Sequence, residues 1–190
     1  MPPSTRTVLL DSALRLLDAG GVEAVTLREV GNGAGVSHNA PYKHFANKEA
    51  LLAAVAAREL SERAIDFARI VQERPEPVEM LRGVLHGYIA WALDHPARFK
   101  LVFGRWAEET PELAETGRNA QNALIALVGQ AQAAGSLPGG DTERMASLVR
   151  ALAHGAADLA SSGHLDANGK GHAAPADLVD DLLGYLGRAR

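Results

Sequence analysis

The chain of 190 residues contains no cysteine. That excludes a disulfide scaffold, a zinc finger, a thiol nucleophile and a thiolate-ligated cluster. Aromatic residues are scarce, at 5% of the chain. Where aromatic and β-branched residues are few and Ala, Leu, Arg and Glu are plentiful, helix is favoured over strand. No apolar run approaches the roughly 20 residues that a bilayer span requires. The opening Met1–Arg6 is short and polar and leads into an amphipathic stretch carrying acids, so it does not read as a signal peptide. A soluble, cytoplasmic protein is expected. An excess of positive charge is also missing: the formal net charge is −4. The protein therefore does not coat nucleic acid by bulk charge. A local basic surface is still allowed, because the first 48 residues carry five cations (Arg6, Arg15, Arg28, Lys43, Lys48) against four acids (Asp11, Asp18, Glu23, Glu29).

Signatures of enzymes are absent as well. None of the seven histidines has a Glu three residues before it, as a carboxylate-bridged metal bundle would need. There is no His-Glu-x-x-His, P-loop, Gly-x-Ser-x-Gly or Gly-x-Gly-x-x-Gly. The run Gly31-x-Gly33-x-Gly35 follows a helix rather than a strand, which does not suit a nucleotide loop. No enzyme, cofactor or metal is expected.

Helical periodicity is present from the start. Val8, Leu9, Ala13, Leu16 and Leu17 recur at three- and four-residue intervals, and Gly20-Gly21 should stop this first helix. Thr26-Leu27-Arg28-Glu29 has the form of a capping box, so a second, short helix starts after Thr26 and turns Leu27 and Val30 inward. Gly35 can supply a positive φ, and Ser37 is the expected N-cap of a third helix over His38–Phe45. Asn47 should cap a long helix from Lys48 to about Arg74. Amphipathic helices are then expected over Val78–Asp94, Ala97–Phe103, Thr110 to about Ala134, Asp141 to about Ser162, and from Pro175 to the end. Gly135–Gly140 reads as a turn and Gly163–Ala174 as a polar loop. No strand and no fixed-period repeat is expected. The whole is all-α: a three-helix head over residues 1–48, then a helical bundle over 49–190.

Two short helices joined by a tight glycine turn and braced by a first amphipathic helix describe a helix-turn-helix. The N-terminal residues of its second helix face base edges in the major groove. His38 and Asn39 stand at that position. An Asn can pair with adenine by two hydrogen bonds, and a His can donate to guanine. Tyr42, Lys43 and His44 follow with one hydroxyl and two groups suited to phosphate oxygens. Lys48 opens the next helix, where the positive end of the dipole also favours a phosphate. Thr26, Arg28, Ser37 and Ala40 complete the candidate DNA-binding set.

Four segments, Thr26-Leu27-Arg28-Glu29-Val30, Gly35-Val36-Ser37, Pro41-Tyr42-Lys43-His44-Phe45 and Lys48-Glu49-Ala50-Leu51-Leu52, together resemble the DNA-binding domain of TetR-family transcriptional regulators. The resemblance covers about residues 5 to 55. Gly31-Asn32-Gly33 departs from it, since the family usually has better helix formers there. In the second half, His95-Pro96-Ala97-Arg98-Phe99-Lys100-Leu101-Val102-Phe103 and Leu152-Ala153-His154-Gly155 resemble a C-terminal subgroup named for a Trp-His-Gly motif. The His-Gly pair is present here without a preceding Trp.

What the resemblance implies is a regulator, a repressor in the first instance, that binds a palindromic operator as a homodimer and is released by a small molecule. The C-terminal bundle of the family holds that effector, here expected to be apolar or aromatic. Candidate contacts are Tyr88, Trp91, Phe99, Phe103, Trp106, Met145 and His154. The last two helices are the expected dimer surface, where Leu148, Leu152, Gly155 and Leu159 share a stripe. The alternative is a helical small-molecule or haem-binding protein with a vestigial DNA-binding head, His86 or His154 being the axial ligand.

Overall fold

Caps and prolines set the helix boundaries. A computed structural model of the protein describes residues 3–106 and 109–188. Among them run α1 (Thr5–Ala24), α2 (Leu27–Gly33), α3 (Ala40–His44), α4 (Lys48–Glu73), α5 (Pro77–Asp94), α6 (Pro96–Val102), α7 (Pro111–Ala133), α8 (Thr142–Ser161) and α9 (Pro175–Arg188). The Ser4 hydroxyl accepts the Thr7 N–H, and the Thr26 hydroxyl accepts the Glu29 N–H. Asn47 accepts from Ala50, Thr110 from Leu113 and Asp141 from Arg144. Each bond satisfies one of the donors that a helix start leaves open. α5, α6, α7 and α9 begin on proline, whose missing N–H costs nothing there.

The chain divides into two units that are each discontinuous in sequence. One comprises the chain up to Glu62 with Ala97–Gly117, and the other Arg63–Pro96 with the chain from Arg118 onward. In the first, Leu9, Leu10, Ala13, Leu14 and Leu17 of α1 are buried with Leu27 and Val30 of α2, Phe45, and Leu51, Leu52 and Val55 of α4. The same unit encloses a charge. Glu59 is fully buried, and Arg98 of α6 reaches it at 3.2 Å while forking onto Asp18 of α1 at 2.9 and 2.5 Å. In the second, α5, α8 and α9 pack on one another. Ala146, Ala153, Ala156 and Ala157 line the inner face of α8, where small side chains allow close approach. Asp180 of α9 joins Arg82 and His86 of α5, the latter at 3.0 Å.

The expected all-α architecture is what the structure shows; the Gly163–Ala174 loop carries a single isolated bridge, Asp166 to Gly171. Two local expectations need correction. Gly20 and Gly21 do not end α1. They kink it, with φ of −151° and +68°, and helix resumes to Ala24. The third helix starts at Ala40 rather than His38. Had Ser37 been its N-cap, its carbonyl would await the N–H of residue 41, which is proline. The Ser37 carbonyl instead takes the Ala40 N–H at 2.9 Å, making a turn of His38 and Asn39. On α9 the buried residues are Val179 and Leu183, while Leu178, Leu182 and Leu186 are half-buried.

Candidate nucleic-acid interface

The turn between α2 and α3 is closed by backbone bonds. The Val36 N–H reaches the Gly31 carbonyl and the Gly35 N–H the Asn32 carbonyl, at 3.2 and 3.1 Å, with Gly35 at φ +65°. This is a Schellman ending, which requires the left-handed residue that glycine supplies at least cost.

The glycines inside α2 have a different reason. A Cβ on Gly33 would lie 2.5 Å from the hydroxyl of the buried Ser12, and one on Gly31 would lie 3.0 Å from the Pro41 ring. Poor helix formers are used where α2 presses on α1 and α3. Arg15 also donates to the Gly33 carbonyl at 3.2 Å, covering one of the open acceptors at the end of α2.

α3 is oriented by two inward residues. Pro41 is buried against Gly31, and Phe45 is 4% exposed with the Arg6 guanidinium 5.9 Å from its ring centre. Everything between them faces out. Tyr42 is 53% exposed, Lys43 and His44 are exposed, and the rings of His38 and Tyr42 stand 6.0 Å apart. Thr26, Arg28, Ser37 and Asn39 are exposed, and Ala40 and Lys48 half-buried. None of the ten DNA-binding candidates is buried in the core, and the outward residues pair hydrogen-bonding groups with cationic ones.

The effector candidates fall into the two units. In the second, the Tyr88 hydroxyl and His154 Nδ1 are 2.7 Å apart. Burial raises the Tyr88 pKa above the usual phenol range, and burial likewise lowers that of His154. Trp91 is 5% exposed with its ring 6.3 Å from that of Tyr88, and Met145 is half-buried on α8. In the first, the buried Phe99 meets the exposed Phe103 ring at 5.4 Å. Trp106 is half-buried there, and its indole N–H is buried without an acceptor. A depression of about 210 Å³ in this unit is lined by Asn47, Glu49, Ala50, Glu109, Thr110 and Pro111, none of them an effector candidate. His86 is held by Asp180 and His154 by Tyr88, so each proposed axial ligand already engages a ring nitrogen.

Sequence reasoning passed over Arg63. Its guanidinium carbon lies 5.4 Å from the centre of the Trp91 ring. No local pattern announces a contact spanning 28 positions. Arg15 and Arg98 were likewise read only as part of the charge balance or of a motif.

The chain matches two family models. Residues 9–55 match bacterial regulatory proteins of the tetR family, and residues 81–184 match the tetracyclin repressor-like C-terminal domain. It is 30% identical over 121 residues to the HTH-type nicotine-responsive transcriptional repressor HdnoR of Paenarthrobacter nicotinovorans, covering 60% of this chain and 59% of that one. It is 31% identical over 81 residues to the HTH-type transcriptional repressor KstR2 of Mycobacterium tuberculosis, covering 43% of this chain and 40% of the other. These matches thus span less than two thirds of either relative. Among solved structures, a protein of unknown function from Rhodococcus sp. RHA1 superposes with a TM-score of 0.85 at 31% identity, over 99% of this chain and 96% of that one. The fatty acid degradation regulator FadR of Bacillus halodurans shares the fold, with a TM-score of 0.76 at 14% identity over 98% and 96% of the two chains.

Proposed function

Because the chain belongs to the tetR family of bacterial regulatory proteins, we propose that it is a cytoplasmic, ligand-responsive transcriptional repressor. In this reading it binds a palindromic operator as a homodimer and leaves it when a small apolar or aromatic effector binds. The observation that carries the reading is α3: Pro41 and Phe45 anchor it inward while Tyr42, Lys43 and His44 face out.

His38 and Asn39 read base edges, Asn39 by pairing with adenine. Thr26, Arg28, Ser37, Tyr42, Lys43, His44 and Lys48 bind phosphates, which fix the register of the helix on the duplex, and Ala40 permits close approach. The functional division falls after residue 48. Residues 49–190 bind effector and dimerise. Leu148 and Leu159 of α8 and Tyr185 of α9 are 48%, 47% and 62% exposed, and this apolar surface suits burial against a second copy. Effector binds at Tyr88, Trp91, Met145 and His154. HdnoR and KstR2, which are named as transcriptional repressors, support the direction of control.

A ligand changes DNA affinity only through its preference between two states of the protein, and tenfold release needs about 1.4 kcal/mol of such preference. The test is selection of sites from random duplex DNA with the purified protein. Inverted repeats are expected. Direct repeats, or no enrichment, would overturn the reading. A Soret band in the purified protein would favour the haem-binding alternative.

A further inference from the structure

Arg63 on α4 belongs to the same unit as Tyr88, Trp91 and His154. Asp66 takes its Nη2 at 3.0 Å, and the Trp91 ring lies within cation–π range of the guanidinium. Its Nε is buried and no acceptor reaches it. Buried donors almost always have a partner, and a charged one left without costs most. Beyond the guanidinium come the buried Trp91, the Tyr88 ring 6.3 Å from it, and the Tyr88–His154 hydrogen bond. Burial keeps the Tyr88 proton in place and disfavours a charged His154, although Asp158 and Arg150 also act on that ring in opposite directions. The row thus runs from a cation with an unmet N–H, across an apolar indole, to a polar pair.

We propose that this row is an effector subsite for a small organic anion: a carboxylate or equivalent oxygen-rich head accepts the Arg63 Nε–H while an apolar body lies against Trp91. A neutral oxygen would satisfy the same N–H, but an anion also gains from the guanidinium charge, and charge-assisted bonds of this kind are the stronger ones. Arg63 offers a directed, planar donor that a lysine ammonium does not reproduce. The inference rests on the reading of residues 49–190 as the effector domain and narrows the effector class.

The test is calorimetric titration of the full-length protein with two matched pairs, 2-naphthylacetate against 2-naphthylacetamide and octanoate against octanamide. At least one carboxylate should bind about tenfold or more tightly than its amide. In Arg63→Met that preference should vanish, the carboxylate falling to the level of the amide. Arg63→Lys, which keeps the charge, should restore only part of it and serves in place of Arg63→Met if that variant fails to fold, as judged by thermal melting. Equal binding of acid and amide, a preference that survives in Arg63→Met, a preference undiminished in Arg63→Lys, or no binding of any of the four at about 1 mM overturns the proposal. Site selection run in parallel separates the two readings. Enriched inverted repeats with no anion preference leave the regulator standing and remove only this subsite.

Discussion

Asn39 and Lys48 sit nine positions apart and should fail in different ways when truncated. Asn39 is exposed in the turn that opens α3, where a base-edge bond is sequence-dependent; Lys48 is half-buried at the start of α4, where a phosphate contact is not. Asn39→Ala is expected to relax preference at one base position of each half-site, worth about 1–3 kcal/mol there. Lys48→Ala should weaken binding about equally on all duplexes. Binding to a set of single-base operator variants checks both, and a uniform loss for Asn39→Ala would move that residue to the phosphates. Thr26 has two jobs in this account. Its hydroxyl is committed to the Glu29 N–H at 3.1 Å, so Thr26→Ala should cost about 1 kcal/mol of stability whatever it does to DNA. Thermal or urea unfolding without DNA measures that part alone.

At the scale of elements, α2 makes the most specific forecast. Exchanging glycine for alanine inside a helix ordinarily stabilises it by about 1 kcal/mol. In α2 the new methyl of Gly33→Ala would fall 2.5 Å from the Ser12 hydroxyl, so the exchange should destabilise instead. Ser12→Ala removes that oxygen and leaves the Ser12 Cβ 3.8 Å away. The double variant should therefore recover stability that Gly33→Ala loses. Urea denaturation of the four-member cycle tests this, and additive effects would refute the packing argument. α5 and α8 give a pH forecast. Burial lowers the His154 pKa below its ordinary value of 6.5. The unfolded chain then takes up a proton that the folded one resists, so stability should be lost as the pH falls below about 6.5 toward the folded pKa. His154→Gln should flatten that part of the profile in denaturation at pH 5 to 7. Most elements were legible beforehand because their signals are local: Thr26 and Asn47 cap as read, and Thr110 and Asp141 cap the helices expected to start there. What was not legible depends on contacts far along the chain. The glycines of α2 looked like a flaw until Ser12 and Pro41 stood beside them, and the shorter α3 follows from one absent N–H. Tyr42, Lys43 and His44 were readable as DNA-facing residues from the helix-turn-helix pattern, although their anchoring by Pro41 and Phe45 was not; nor was the contact of Arg63 with Trp91.

For the molecule as a whole, a net charge of −4 means that attraction to DNA must come from the local surface of the head. If each of two heads makes several phosphate contacts, affinity should fall by orders of magnitude between roughly 50 and 200 mM salt. Fluorescence anisotropy with a fixed operator at stepped salt reads the slope, and a flat response would count against phosphate binding by Arg28, Tyr42, Lys43 and Lys48. The proposed function divides the chain after residue 48, whereas the compact unit that contains the head also includes Ala97–Gly117. Arg98 is the reason this matters to anyone building chimeras. A graft that takes the head alone, cut at 48 or at 62, leaves Arg98 behind, and a graft cut at 62 carries Asp18 and the fully buried Glu59 away from their guanidinium. Taking the cation from a buried pair typically costs about 3–5 kcal/mol. The head is therefore not a detachable cartridge. Interchange between relatives should work best where the recipient brings an arginine at the position of Arg98, or where the donor's Glu59 is exchanged for glutamine in the same step.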